Sequence, residues 1–190
     1  MSDDLQSAAS LARILSEMKS VLELDGDAAE FGVFQGRTAR RMGALLARGR
    51  ATKTLHLFDS FHGNPAPDLA GGDKGAWDCG GWYAAKREDV ERALCPLRNF
   101  IIHEGLFCTR HRFQSPLCFA HIDCDLYQST QDAIGIAGPN LVSGGKLVFH
   151  DYTARDWPGV RMAVDELLLP EHWDLQVFDE TEQCVARKKG

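Results

Sequence analysis

The chain has 190 residues, of which 44% are hydrophobic and 25% charged, and its formal net charge at pH 7 is −6. A chain of this size can bury its own core, so we treat residues 1–190 as a single domain. The acidic balance argues against nucleic acid or an anionic membrane surface as the main partner, and no apolar run reaches the roughly 20 residues that span a bilayer.

Helical and strand patterns alternate along the chain. The apolar residues of Leu5–Leu24 recur at helical spacing, which predicts an N-terminal helix within residues 1–25. Short apolar runs bounded by turn residues predict five strands, at Ala28–Phe34, Thr54–Phe58, Asn99–His103, Leu117–Ile122 and Gly145–Phe149. Further helices are predicted between and after them, at Thr38–Ala47, Ala84–Leu94, Leu126–Ala137 and Gly159–Leu169. A closing hairpin follows, with strands at Trp173–Phe178 and Gln183–Arg187 around Asp179–Glu182.

This alternation predicts an α/β fold with a doubly wound, mostly parallel sheet. Such sheets bind ligands at the carboxyl ends of their strands. Residues 61–83 interrupt the pattern with a long stretch rich in glycine and proline. Connections of this length are commonly functional, so we expect a mobile lid over the site.

The cysteines do not form a CxxC pair, which argues against a zinc knuckle; they are Cys79, Cys95, Cys108, Cys118, Cys124 and Cys184. Several lie in apolar runs, as reduced core cysteines do. The N-terminal segment shows no secretory signal. We therefore expect a cytoplasmic protein without disulfides.

A glycine-containing turn follows the first predicted strand, in the segment Glu30-Phe-Gly-Val-Phe-Gln-Gly36. Gly32 and Gly36 would allow a ligand close to the backbone, although a tight turn that only packs helix on strand is an equal alternative. The spacing differs from the GxGxxG dinucleotide fingerprint. Asp59 ends the second strand, where a carboxylate can accept hydrogen bonds from ribose hydroxyls or, alternatively, cap a turn.

Two acidic groups follow the fourth and fifth strands. Asp123 and Asp125 come directly after the fourth strand, and His150 and Asp151 after the fifth. If these strands are neighbours, Asp123 and Asp151 lie close together, and carboxylates so placed favour a bound cation. The alternatives are that Asp125 caps the following helix and that His150 is a packed core residue.

At these residues the sequence resembles the macrocin O-methyltransferase family, whose members methylate sugar hydroxyls on macrolides and related products. The matching segments follow the order of the family and are EFGVFQGRTA, LFDSFHGNP, GGWYAAKREDVERAL, HIDCDLYQST and GGKLVFHDYTARDWPGVRMAVDEL. The resemblance implies a class I methyltransferase (Rossmann-like) fold, with a doubly wound seven-stranded sheet that ends in an antiparallel hairpin. It also implies S-adenosylmethionine as the methyl donor.

The resemblance also implies roles for residues that would contact the cofactor. Glu30 and Gly32 would lie near its methionine part, Asp59 would hold the ribose, and Ser60 would lie beside it. Asp123 would contribute both to this cofactor site and to catalysis.

Family members that bind magnesium use aspartates at positions matching Asp123 and Asp151, with one more at the position of His150. The ligand set here is thus Asp123, Asp151 and His150, for Mg²⁺ or Mn²⁺, although histidine prefers softer metals than magnesium. Asp125 or His150 would take the proton from the acceptor.

The sequence therefore predicts an S-adenosylmethionine-dependent O-methyltransferase for a small-molecule hydroxyl, on a sugar or a natural product, assisted by a divalent metal. A non-catalytic or regulatory protein of the same fold is the main alternative. A nucleotide-binding oxidoreductase is disfavoured because GxGxxG is missing. The oligomeric state stays open, with a homo-oligomer as one option.

Overall fold

A computed structural model describes residues 7–49, 52–76, 78–107 and 113–190. These residues form five α-helices, α1 (Ala8–Val21), α2 (Arg37–Gly49), α3 (Arg87–Leu94), α4 (Tyr127–Asn140) and α5 (Pro158–Leu167), and a short 3-10 helix at Asp179–Thr181. Their seven strands are β1 (Asp27–Phe31), β2 (Leu55–Asp59), β3 (Phe100–Glu104), β4 (Leu117–Ile122), β5 (Leu141–Phe149), β6 (Trp173–Phe178) and β7 (Gln183–Lys188). Leu5, Trp77 and Cys108 lie outside the described residues.

All seven strands form one sheet in the order β3-β2-β1-β4-β5-β7-β6. The pairs from β3 through to β5 are parallel, and β7 runs antiparallel to both β5 and β6. The predicted class I methyltransferase fold, with its antiparallel C-terminal hairpin, is confirmed. Because the chain order reverses between β1 and β4, the crevice between their carboxyl ends is the expected place for a ligand.

The sheet is buried on both faces, which is why its central strands read as continuous apolar runs. Residues of α1, α2 and α3 pack on one face, and among the buried ones are Ile14, Met18, Met42 and Leu94. The other face is covered by α4 and α5, through residues such as Ile134 and Val164. The two apolar layers hold the strand ends rigidly in place.

Local chemistry explains where predicted and observed boundaries differ. The predicted first strand ran to Phe34, but β1 ends at Phe31 because Gly32 and Phe34 both have positive φ angles, of 82° and 48°. Helix α1 begins at Ala8 because the Ser7 hydroxyl accepts a hydrogen bond from the Ser10 amide at 3.0 Å.

Among the described residues, no helix is both long enough and apolar enough to cross a membrane. The cysteines in the same part of the chain are free thiols, and most of them are buried: Cys79, Cys118, Cys124 and Cys184, with Cys95 exposed. The four buried cysteines behave as small apolar residues of the core.

Candidate active site

A deep cleft opens at the carboxyl ends of β1, β2, β4 and β5. It brings together every candidate site residue predicted from the sequence, namely Glu30, Gly32, Asp59, Ser60, Asp123, Asp125, His150 and Asp151. Parallel strands explain this convergence, since their carboxyl ends all meet at the same edge of the sheet.

The turn after β1 forms one wall of the cleft, and it depends on a glycine. A Cβ at Gly32 would collide with the carbonyl oxygen of Asp123, and the φ angle of 82° also disfavours any other residue. The Asp123 amide in turn donates to the Phe31 carbonyl at 2.9 Å. The first turn and the end of β4 are therefore in direct backbone contact.

Asp59 holds the same turn from the other side. Its Oδ2 atom accepts hydrogen bonds from the amides of Val33 at 2.7 Å and Phe34 at 2.9 Å, and Oδ1 accepts from Phe61 at 2.7 Å. The neighbouring Ser60 hydroxyl accepts from the His62 amide at 3.1 Å and donates to the Gly63 carbonyl at 3.2 Å. Both side chains thus shape the cleft backbone as well as lining the cleft.

Glu30 and His121 form a buried pair beneath the cleft. They lie opposite each other on β1 and β4, and His121 Nδ1 is 3.0 Å from Glu30 Oε1. Their relative exposures are 1% and 0%. Burial raises the pKa of Glu30, while the hydrogen bond from His121 opposes that rise.

The predicted metal ligands come together. One ligand atom from each of Asp123, His150 and Asp151 lies within 4.8 Å of the other two. His150 Nδ1 is 2.9 Å from Asp151 Oδ2 and 3.4 Å from Asp123 Oδ1. The group therefore has the size of a cation site with an imidazole between two carboxylates.

Charges in this group change the protonation behaviour of its members. Burial lowers the pKa of His150, but the carboxylates of Asp123 and Asp151 outweigh it and raise the pKa to about 11. The pKa of Asp125 lies well above its usual range because the carboxyl is buried and faces the charges of Asp123 and Asp151. The two carboxylates therefore favour a positive charge at the position between them.

Asp125 does not cap the helix that follows it, contrary to the alternative that the sequence left open. Its Oδ2 atom accepts a hydrogen bond from the Asn64 side-chain amide at 2.7 Å. The first amide of α4, on Tyr127, donates instead to Asp73 Oδ1 at 2.7 Å. Asp73 also accepts from the Asp68 amide at 2.9 Å and is only 2% exposed.

The segment predicted as a lid, residues 61–83, contributes Gly63, Asn64, Pro65 and Tyr83 to the lining of the cleft. Its ends are bridged by two backbone hydrogen bonds of 2.8 Å, from Asn64 to the Trp82 carbonyl and from Gly81 to the Asn64 carbonyl. Asn64, Asp73 and the fully buried Cys79 anchor it to the body of the protein. Tyr83 extends into the cleft lining beside Phe34.

Strained backbone is concentrated around this cleft. In the described part of the chain six non-glycine residues have positive φ, and four of them line the cleft, namely Phe34, Tyr83, Asp125 and Asp151. Left-handed conformations cost free energy in such residues and persist where the surroundings impose them.

Sequence reasoning missed three residues that organise the site: Asn64, Asp73 and His121. His121 stood inside the motif with Asp123 and was given no role, although a histidine in an otherwise apolar strand was a usable signal. Asn64 and Asp73 lie in an irregular loop, where no periodicity indicates which side chains are buried.

A comparison with sequence families finds one match, to the family described as macrocin-O-methyltransferase (TylF), over residues 8–177. No curated protein matches the chain.

Solved structures with the same fold include several methyltransferases. The O-methyltransferase NovP is 23% identical with a TM-score of 0.81, and the match covers 95% of this chain and 79% of NovP. CalS11, a calicheamicin methyltransferase, is 22% identical with a TM-score of 0.79, over 96% of this chain and 79% of CalS11. A putative caffeoyl-CoA O-methyltransferase from Staphylococcus aureus is 11% identical with a TM-score of 0.63, over 97% of this chain and 84% of its own.

Proposed function

The chain belongs to the macrocin O-methyltransferase family, and from this premise we propose that it transfers a methyl group from S-adenosylmethionine to a sugar hydroxyl of a small natural product. One observation carries the proposal: the glycine turn after β1, Asp59 and the group of Asp123, His150 and Asp151 all line a single cleft. A cofactor held by the turn can therefore present its methyl group to an acceptor bound beside the acidic group.

Methyl transfer requires the acceptor oxygen to lie in line with the sulfonium methyl, and positioning supplies much of the rate gain. The attacking hydroxyl also has to lose its proton. Asp125 is suited to take it, because the carboxyl lines the cleft beside the acidic group and because burial and the neighbouring carboxylates raise its pKa, which makes it a stronger base than an ordinary carboxylate. In this proposal the hydrogen bond from Asn64 holds the Asp125 carboxyl in place.

A divalent cation fits the donor set of Asp123, His150 and Asp151. Two carboxylates within reach of one imidazole repel each other unless a cation or a proton lies between them, and the spacing of the three groups suits one ion. When bound, the ion would supply Lewis acidity towards the acceptor hydroxyl. The nitrogen ligand favours Mn²⁺ or a softer metal over Mg²⁺.

The metal proposal is tested by chelation and by one substitution. We expect methyl transfer to fall with EDTA and to return more fully with Mn²⁺ than with Mg²⁺. His150→Asp, which restores the family's all-oxygen set, should shift that preference towards Mg²⁺. The exposed Asp156→Asn serves as a control on the same loop and should change neither activity nor metal preference. Full turnover of the parent protein in EDTA would refute metal assistance.

The class of acceptor is proposed from the relatives. A second solved structure of CalS11 identifies that enzyme as a TDP-rhamnose 3′-O-methyltransferase, an enzyme in calicheamicin biosynthesis. Nucleotide-linked and glycosidic sugars therefore form the first panel, assayed with methyl-labelled S-adenosylmethionine. Binding of S-adenosylhomocysteine without turnover on any member would favour a non-catalytic protein of the same fold.

Closure of the lid segment would exclude water from this reaction. Its anchors lie at Asn64, Asp73 and Cys79, so the motion we propose is an opening of the residues between these anchors. Limited proteolysis within residues 61–83 should be suppressed by S-adenosylhomocysteine plus acceptor. Identical cleavage with and without these ligands would contradict the lid.

A further inference from the structure

The pair of Glu30 and His121 leaves two polar atoms unused. Each residue employs one side-chain atom in the 3.0 Å contact between Nδ1 and Oε1. The remaining atoms, Glu30 Oε2 and His121 Nε2, are buried and have no hydrogen-bond partner among the described residues. A buried carboxylate oxygen without a donor is costly, and such atoms in native proteins commonly have a functional explanation.

The two unused atoms differ in their surroundings. Glu30 lines the cleft, whereas His121 is fully buried in β4 and does not. Since His121 occupies Oε1, Oε2 is the oxygen that Glu30 has left for a molecule in the cleft. Glu30 lies two residues before Gly32, in the turn where the absence of a side chain allows a ligand to approach the backbone most closely.

We infer that His121 is a positioning residue, which fixes Glu30 so that Oε2 accepts a hydrogen bond from the α-ammonium group of the cofactor's methionine part. This inference rests on the proposed function. The ammonium group is a cation with N–H donors, and a buried carboxylate binds such a group strongly. Both Asp59 at the end of β2 and Glu30 on β1 line the cleft. With the ribose hydroxyls assigned to Asp59 under the proposed function, the β1 side is left for the amino-acid part.

The register of the sheet makes this arrangement specific. Glu30 and His121 are direct neighbours on adjacent parallel strands, so their side chains leave the same face at the same level. A donor at the position of Nδ1 prevents the carboxylate from turning away from the cleft. An apolar residue at position 121 would fill the space but would leave both oxygens of Glu30 without a partner.

The test compares two ligands that differ only in the amino-acid part. S-Adenosylhomocysteine carries the ammonium group, and 5′-methylthioadenosine has the same nucleoside and thioether without it. By calorimetry, His121→Leu should weaken S-adenosylhomocysteine binding about 10-fold to 100-fold, the equivalent of one charge-assisted hydrogen bond. Binding of 5′-methylthioadenosine should change less than about twofold. His121→Asn, whose amide can donate near the position of Nδ1, should recover part of the loss.

Glu30→Gln and the double variant complete the design. Because both residues act through one contact, the double variant should lose little more affinity than Glu30→Gln alone. Equal weakening of both ligands by His121→Leu, or of neither, would overturn the inference, since a purely structural role does not distinguish them. A parent protein that binds neither ligand would overturn the proposed function itself and this inference with it.

Discussion

Removal of the Asp73 carboxylate should loosen the lid segment and destabilise α4 together. Asp73 is 2% exposed and accepts two backbone hydrogen bonds, from Tyr127 at 2.7 Å and from Asp68 at 2.9 Å. Loss of a helix cap costs about 1 kcal/mol, and loss of a bond to a charged group costs about 1.5–3 kcal/mol. We therefore expect Asp73→Ala to lower the free energy of unfolding by about 2–4 kcal/mol.

Chemical denaturation measures this change directly. The free energy of unfolding of Asp73→Asn, which keeps one acceptor oxygen, should lie between those of the parent protein and Asp73→Ala. The matched control is Asp78→Ala in the same segment, because Asp78 is exposed and accepts only one long hydrogen bond, of 3.3 Å, from Gly80. Proteolysis of residues 61–83 should accelerate in Asp73→Ala and not in the control. Equal stabilities and equal cleavage rates in the two alanine variants would refute the anchor.

Three further changes test the site and the sheet. Asp59→Ala should weaken S-adenosylhomocysteine binding by about 1–3 kcal/mol in calorimetry, because charge-assisted hydrogen bonds are lost, and unchanged affinity would remove Asp59 from the cofactor site. Gly32→Ala should destabilise the protein far more than Gly81→Ala in denaturation experiments: the φ angles are 82° and 78°, but only at Gly32 does a Cβ meet another atom. Burial lowers the pKa of His56 below 6.5, against the opposing effect of Asp27, so the folded state binds fewer protons there than the unfolded state does. The free energy of unfolding should therefore be highest above pH 6.5 and should decrease as the pH falls below it, because the unfolded state then binds a proton at His56 more readily. In denaturation experiments at a series of pH values, His56→Gln should make this decrease smaller.

The sequence predicted the architecture well because the strands carry strong local signals. The predicted limits of β4 and β6 match the structure at both ends, since each is an apolar run or alternating stretch between clear breaks. In contrast, β5 begins at Leu141 and not at the predicted Gly145. Gly144 and its neighbours read as a turn, but β5 runs through them as an irregularity in its pairing with β4, which includes Leu141 and resumes at Lys146.

The candidate site could be predicted only where it follows strand ends. Asp123 and Asp151 were placed together because parallel strands end at the same edge, and the structure has them in one group. Asn64 and Asp73 could not be found this way. Their partners, Asp125 and Tyr127, lie 61 and 54 residues away, and only the folded path of an irregular loop brings them near.

The order of the strands also determines when the cleft can form during folding. The pairing of β1 with β2 joins residues 27 positions apart, as in Ala28 and Leu55, whereas Glu30 and His121 meet across 91 residues. Because the larger loop costs more entropy to close, we expect the contact between β1 and β4 to form later than that between β1 and β2. The cleft is therefore a product of the completed sheet and of neither half alone. A ligand that contacts both β1 and β4 stabilises the pairing of these two strands. Its binding therefore reports that the whole sheet has formed.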